Sequence, residues 1–162
     1  MSTFERGIIL GREELASWAD NVHAAGRTIA FTNGCFDIIH RGHLESLKQA
    51  ASAADELVVA LNSDPSVATL KGAGRPILPE NDRASLIAAL RPVSAVTIFD
   101  EPTPLECILQ IRPDMLVKGS EYKEEDIVGA REVKSWGGHI VRVPMVEGWS
   151  TSQIIAAIQN LK

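Results

Sequence analysis

Residues 32–43 of this 162-residue chain have the sequence TNGCFDIIHRGH and join a predicted strand to a predicted helix. The six residues that end at Thr32, RTIAFT, are mostly apolar or β-branched, which is typical of a buried strand. The dipeptide Asn33-Gly34 marks a turn at its end. After the stretch, apolar residues recur at the spacing of a helix face, namely Leu44, Leu47, Ala51 and Ala54. Strand, turn and helix in this order form the first unit of an α/β fold.

The same alternation continues to the end of the chain. We predict further strands at residues 56–62, 95–99, 114–118 and 139–143, and further helices at 11–26, 80–90, 104–111, 127–136 and 151–161. The first of these strands, ELVVALN, is apolar almost throughout, as expected in a parallel sheet covered on both faces. The pattern predicts an α/β fold: a doubly wound, Rossmann-like parallel sheet with helices on both faces. Residues 1–162 are predicted to form one domain, with a helix within residues 1–26 packed on it.

The chain carries 16 lysines and arginines against 21 aspartates and glutamates, a net charge of −5. A domain with this balance is not expected to bind nucleic acid by broad neutralisation of phosphates, so an anionic ligand must meet a local cluster of positive groups. The two cysteines, Cys35 and Cys107, lie too far apart for a metal-binding spacing. The sequence shows neither a signal peptide nor an apolar run of roughly 20 residues that would span a membrane. We therefore expect a cytoplasmic protein that associates with no nucleic acid and no membrane.

In a doubly wound sheet, ligands bind beyond the carboxyl ends of the strands, where residues 32–43 lie. The start of the following helix offers free backbone N–H groups and the positive end of the helix dipole, which suit a phosphate. Gly34 permits a tight turn, and Gly42 keeps a Cβ from obstructing a ligand. His40 and His43 can face the same side and donate hydrogen bonds to phosphate oxygens whose charge grows during transfer. Alone, the pair is also compatible with a surface turn or two metal ligands, but no third ligand stands at a fitting spacing.

Six segments together resemble one family of enzymes. They are TNGCFDIIHRGH (32–43), VVALNSDPSV (58–67), LKGAGRPI (70–77), ENDR (80–83), PDMLVKGSEY (113–122) and EGWSTSQII (147–155). In this combination the chain resembles the cytidylyltransferase-like nucleotidyltransferases and, within them, the heptose 1-phosphate adenylyltransferases of lipopolysaccharide synthesis. The resemblance implies a fold of the nucleotidyltransferase type and the transfer of AMP from ATP to heptose 1-phosphate, which gives ADP-heptose and pyrophosphate. It also implies Mg²⁺ bound mainly through the nucleotide phosphates, with no metal site built by the protein.

The family's motifs imply roles for individual residues of this chain. The expected catalytic residues are His40, His43 and Lys71. The expected nucleotide-binding residues are Thr32, Asn33, Gly34, Cys35, Phe36, His40, Gly42, His43, Lys118, Gly119, Ser150, Thr151 and Ser152. The expected substrate-binding residues are Lys71, Arg75, Arg83 and Tyr122. The chain departs from the family pattern at Ser152, which keeps a hydroxyl, and at Ser120-Glu121, where relatives more often have glycine and aspartate.

Local features of the sequence bear on several of these residues. Residues 64–79 are predicted to be a long connection that contains Lys71 and Arg75, and long loops in compact domains are often functional. Arg83 opens a predicted helix, where a basic group opposes the helix dipole unless a phosphate lies near it. Trp149 is expected to cover the core. Although the net charge of the chain is negative, the sequence predicts a basic pocket made by the two histidines and by Lys71, Arg75, Arg83 and Lys118.

Two other functions remain open at this point. A glycerol-3-phosphate cytidylyltransferase that uses CTP is a sister enzyme, although that branch tends to have arginine and threonine where this chain has Met145-Val146. A non-catalytic nucleotide-binding module would share the fold, but His40, His43 and the Ser150–Ser152 segment argue against it. An NAD-dependent Rossmann enzyme is excluded, because no G-x-G-x-x-G follows the first strand. The expected partners are ATP and a sugar 1-phosphate, and the expected assembly is a homodimer.

Overall fold

The computed structural model describes residues 7–144 and 146–161. The two ends of the predicted domain, residues 1–6 and 162, and also Met145 lie outside the described residues. Within them, six parallel strands form one sheet: β1 (Ile8–Ile9), β2 (Ile29–Gly34), β3 (Glu56–Asn62), β4 (Ala95–Phe99), β5 (Met115–Gly119) and β6 (His139–Val143). The order across the sheet is β1-β4-β3-β2-β5-β6. The edge strand β1 was not predicted, because two residues show no period.

Seven α-helices connect or flank these strands in the described residues. They are α1 (Leu15–Ala24), α2 (Arg41–Ala51), α3 (Asp64–Lys71), α4 (Glu80–Ala88), α5 (Leu105–Ile111), α6 (Ala130–Ser135) and α7 (Thr151–Gln159). Short 3₁₀ turns precede α1 at Arg12–Glu14 and α6 at Glu124–Asp126. Within the described ranges, no helix has both the length and the apolar character that crossing a membrane requires.

The strands send their side chains alternately to the two faces of the sheet, as the period of two requires. In β2, Ile29 and Phe31 join the core beneath α1, α5 and α6, whereas Ala30 joins the core beneath α2 and α4. In β3, Val58 faces the first core and Leu57 the second. Helices therefore cover both faces, and the predicted doubly wound α/β fold is confirmed.

The central strand β2 pairs with β3 on one side and with β5 on the other. After β2, the chain passes through α2 to β3, which lies on one side of β2, and then to β4, which lies next to β3. It then returns to form β5 on the other side of β2. The strand order therefore reverses between β2 and β5, and this leaves a crevice beyond their carboxyl ends. The turn that follows β2 and the last residues of β5 meet at this crevice.

Besides β1, two segments differ clearly from the sequence prediction. Residues 64–79 are not one connection, because α3 fills their first half. The hydroxyl of Ser63 caps this helix by accepting a hydrogen bond from the N–H of Ser66 at 3.4 Å, and Pro65 lies in the first turn, where its missing N–H costs nothing. The helix predicted at 127–136 is shortened to α6, because Gly129 before it has a left-handed φ of 85°.

Candidate active site

A cavity of about 580 Å³ opens at the carboxyl ends of β2 and β5. Its walls come from the turn after β2, the first turn of α2, the end of α3, the end of β5 and the start of α7. All but one of the predicted site residues line it: Thr32, Asn33, Gly34, Cys35, Phe36, His40, Gly42, His43, Lys71, Arg75, Lys118, Gly119, Tyr122, Ser150, Thr151 and Ser152. The exception is Arg83.

The turn between β2 and α2 is held by Asp37, whose side chain is buried. Its carboxylate accepts hydrogen bonds from Nε of Arg75 at 2.7 Å and from the backbone N–H groups of Ile77 and Leu78 at 2.8 and 3.0 Å. Burial raises the pKa of Asp37, but the donors of Leu78, Ile77 and Arg75 outweigh it, so the net shift is downward and the group is ionised. Asp37 thus fixes the turn to the connection that carries Arg75. No role was predicted for Asp37 from the sequence, although it lies within the motif at residues 32–43.

The start of α7 is attached to the same turn. The hydroxyl of Thr151 donates to the carbonyl oxygen of Asp37 at 2.6 Å. Ser150 caps the helix, because its Oγ accepts a hydrogen bond from the N–H of Gln153 at 3.2 Å. These two bonds hold the N-terminus of α7 at the cavity, which the N-terminus of α2 also lines. Two helix N-termini therefore face one space, which favours an anionic ligand.

Arg83 lies beneath the cavity rather than in it, which corrects the prediction that it contacts substrate. Its guanidinium is fully buried and donates to the carbonyl oxygens of Leu78, Cys35 and Asn62 at 3.0, 2.6 and 2.9 Å. It also pairs with the carboxylate of Asp64 at 2.6 Å. These partners offset the unfavourable helix dipole, so no phosphate is needed to explain a basic group there.

His40 and His43 lie together at the start of α2, with ring centroids 3.8 Å apart. Burial lowers the pKa of His40 below its usual value. Burial and the neighbouring His40 lower the pKa of His43 to about 4, with Asp37 acting in the opposite direction. Both pKa shifts favour the neutral form of the rings at pH 7, contrary to the prediction that the histidines add positive charge to the pocket. The predicted proximity of the two rings is confirmed.

The ring of His40 packs against Gly42 and leaves little room for a side chain there. A Cβ at this position would lie 2.9 Å from Cε1 of His40 and 3.3 Å from Cβ of Trp149. Trp149 is 44% exposed, and the centroid of its ring lies 6.4 Å from that of His40. Trp149 therefore forms part of the cavity wall instead of covering the core as expected. A single tryptophan after a glycine carries no sequence signal that separates these two environments.

Lys118 projects from the end of β5 towards β2, where its ammonium group donates to the side-chain oxygen of Asn33. Burial lowers the pKa of Lys118 to about 8, with the carboxylate of Glu121 acting in the opposite direction. The carboxylate of Glu121 lies against Gly119, so that a Cβ at Gly119 would collide with it. Glu121 lines the cavity and had no predicted role.

Lys71 and Arg75 supply positive charge from the other side of the cavity. Lys71 ends α3 and is exposed. Nε of Arg75 donates a hydrogen bond to the carboxylate of Asp37. The terminal nitrogens of Arg75 make no hydrogen bond to the residues that the structure describes. Tyr122 is half exposed at the rim. Together with Lys118, these groups supply cationic nitrogen to one cavity from different elements, although the whole chain is acidic.

Comparison with known proteins agrees with this arrangement. The family model described as cytidylyltransferase-like matches residues 31–157. The chain is 48% identical to the bifunctional protein HldE of Gluconobacter oxydans (strain 621H) and 53% identical to that of Koribacter versatilis (strain Ellin345), over 96% and 88% of its own length. It spans about a third of these relatives, 33% and 29% of their lengths.

A solved structure is also similar. The crystal structure of the lipopolysaccharide core biosynthesis protein from Thermoplasma volcanium GSS1 matches with a TM-score of 0.61 and 28% identity. The match covers 75% of this chain and 98% of that one. The family model spans the β2 turn, the histidine pair, Lys118 and the start of α7, which are the parts that build the cavity. The chain therefore belongs to the cytidylyltransferase-like family, as its motifs predicted.

Proposed function

We propose that this protein transfers AMP from ATP to heptose 1-phosphate and so forms ADP-heptose and pyrophosphate. The observation that carries the proposal is the convergence of the histidine pair, two helix N-termini, Lys71 and Lys118 on one cavity. Similarity to the HldE proteins and the resemblance to heptose 1-phosphate adenylyltransferases favour a heptose phosphate and ATP as the substrates.

The reaction is a direct in-line displacement. A phosphate oxygen of the sugar 1-phosphate attacks the α-phosphorus of ATP, the new P–O bond forms, and the bond to the β-phosphate oxygen breaks to release pyrophosphate. A phosphate monoester has a second pKa of about 6, so the nucleophile is ionised at neutral pH. The site therefore needs no general base, and catalysis consists of alignment and stabilisation of charge.

Different residues of the cavity are proposed to align the substrates and to stabilise the charge that develops on them. The imidazoles of His40 and His43 donate to oxygens of the reacting phosphate, and the N-termini of α2 and α7 face the phosphate chain. Lys71 is proposed to stabilise the leaving pyrophosphate, and Lys118 with Asn33 to hold the nucleotide across the gap between β5 and β2. Asp37 and Arg83 act through the turn they hold and do not touch the substrate.

Arg75 and Tyr122 are proposed to bind the sugar phosphate. The terminal nitrogens of Arg75 are directed by the bond from its Nε to Asp37, which leaves a guanidinium edge for a second phosphate. Tyr122 offers a hydroxyl at the rim, and the carboxylate of Glu121 beside it can accept hydrogen bonds from sugar hydroxyls.

Mg²⁺ is proposed to arrive with the nucleotide. Among the described residues, no three histidine, cysteine, aspartate or glutamate side chains form a group that could hold a metal ion. Phosphate oxygens are good Mg²⁺ ligands, and the ion then neutralises part of their charge. The positive groups Lys71, Arg75 and Lys118 neutralise another part.

The decisive experiment measures pyrophosphate release with ATP, CTP or GTP against heptose 1-phosphates and glycerol 3-phosphate. We expect release with ATP and a heptose 1-phosphate and at least about tenfold slower release with the other pairs. Preference for CTP and glycerol 3-phosphate would establish the sister activity instead, and release with no pair would favour the non-catalytic module. The expected homodimer remains part of the proposal and is tested by light scattering of the purified protein.

A further inference from the structure

His40 directly precedes α2, and His43 is the third residue of that helix. Their rings stack with centroids 3.8 Å apart and planes inclined by 21°. The positive end of the helix dipole lies at the same place. A positive charge on either ring would therefore face both the other ring and the helix N-terminus.

The Nδ1 atoms of both rings are buried and have no hydrogen-bond partner among the described residues. At His40, the edge that carries Nδ1 lies against Gly42, where a Cβ would be 3.0 Å from Nδ1. An imidazolium carries N–H on both nitrogens, so protonation would bury an N–H with no acceptor, which is costly. The same holds for the neutral form with its proton on Nδ1. The geometry favours a bare Nδ1 and a proton on Nε2.

The other titratable groups around the pair come from the β2 turn, from α3 and the connection after it, and from β5 and the loop after it, and they carry both signs. Those that line the same cavity are Cys35, Asp37, Lys71, Arg75, Lys118, Glu121 and Tyr122. The carboxylate of Asp37 already accepts three hydrogen bonds, so its charge is largely compensated. Glu121 lies against Gly119 at the far strand end. No carboxylate accepts a hydrogen bond from either ring within the described residues, so neither ring is held in its charged form by a partner.

We propose that His40 and His43 bind the nucleotide phosphates as two neutral imidazoles, each donating from Nε2–H, and that neither ring takes up a proton when the nucleotide binds. The inference rests on the proposed nucleotidyl transfer. The charge that meets the phosphates then comes from Lys71, Arg75 and Lys118. The lowered pKa values of both rings agree with this assignment.

Neutral donors suit this reaction for a physical reason. The nucleophile arrives ionised and the leaving pyrophosphate needs no proton, so the histidines have no proton to give or take. A neutral N–H strengthens its hydrogen bond as charge develops on the phosphate oxygens and keeps its proton. A neutral imidazole at a helix N-terminus acts in this way in another, unrelated enzyme.

The test is ¹⁵N nuclear magnetic resonance of protein labelled at histidine, with Mg²⁺ and α,β-methylene-ATP. A neutral imidazole gives two well-separated nitrogen shifts, whereas an imidazolium gives two similar ones. His23→Asn and His139→Asn, both outside the cavity, remove the other two histidine signals and leave those of the pair. We expect both cavity rings to show the neutral Nε2–H pattern with the analogue bound at pH 7. An imidazolium or an Nδ1–H pattern in the bound complex would overturn the inference alone, and failure of the analogue to bind would overturn the proposed function with it.

A kinetic comparison gives an independent readout. The amide nitrogen of glutamine can occupy the position of Nε2, whereas that of asparagine lies near the position of Nδ1. His43→Gln is therefore expected to keep about tenfold more turnover than His43→Asn, which is the value of one retained hydrogen bond. The turnover of the wild type relative to His43→Gln should be the same at pH 6.5 and pH 8, because the neutral wild-type ring gains and loses no proton over this range. Equal turnover of the two variants, or a ratio of wild type to His43→Gln that changes with pH, would contradict the inference.

Discussion

The guanidinium of Arg83 donates to the carbonyl oxygen of Cys35 at 2.6 Å, across 48 residues of chain. The same group reaches Asn62 at the end of β3, Leu78 before α4 and Asp64 at the start of α3. One buried cation therefore joins the β2 turn to helix α3, which ends at Lys71, and to the connection that carries Arg75. The shape of the cavity depends on a residue that does not line it.

Arg83→Met is expected to lower the free energy of unfolding by about 3 kcal/mol, because it removes all four bonds and leaves buried carbonyl groups without a donor. Urea denaturation measures the change. Arg131→Met, an exposed arginine on α6, is the matched control and should unfold close to the wild type. If the two variants unfold at the same urea concentration, Arg83 does not hold the turn.

Gly42→Ala separates activity from stability. The added Cβ would meet the ring of His40 and displace it, so turnover is expected to fall by about 10²-fold. Alanine is a better helix former than glycine, so the free energy of unfolding should stay within about 1 kcal/mol of the wild type. Steady-state kinetics and urea denaturation on the same preparation test both parts. Wild-type turnover in this variant would show that the position of the His40 ring is unimportant.

Lys118 is expected to make nucleotide binding dependent on pH. Its pKa is lowered to about 8 by burial, so the ammonium group loses its proton as the pH rises through this value and the attraction for phosphate is lost. The KM for ATP is expected to rise about tenfold between roughly pH 7 and 9. Lys118→Arg keeps its charge over this range and should show a nearly constant KM. The same rise in both proteins would place the titrating group elsewhere.

The location of the site could be predicted from the sequence, because parallel strands end at one edge of the sheet. The motif after β2 and the residues of β5 therefore had to meet once the alternation of strands and helices was recognised. Lys118 and Asn33 are 85 residues apart in the chain, and their strands are neighbours only because the order reverses between them.

The role of Arg83 could not be predicted in the same way. Three of its hydrogen bonds are to backbone carbonyl groups. Every residue has such a group, so the side chains of the partners do not indicate the contact. The charge state of the histidines could not be predicted from the sequence either, because it depends on burial and on the packing of the two rings, whose centroids are 3.8 Å apart. Helix α3 was missed because Pro65 is typical of a loop unless a cap such as Ser63 stands before it.

The central claim is that the histidine pair stabilises the transfer of AMP to a sugar 1-phosphate. Pyrophosphate release from ATP and heptose 1-phosphate by His43→Ala tests it most directly, with far-ultraviolet circular dichroism to verify the fold. The account predicts a normally folded protein whose turnover is lower by about 10²–10³-fold, the usual effect of removing one donor to the developing charge. Turnover close to that of the wild type would contradict it.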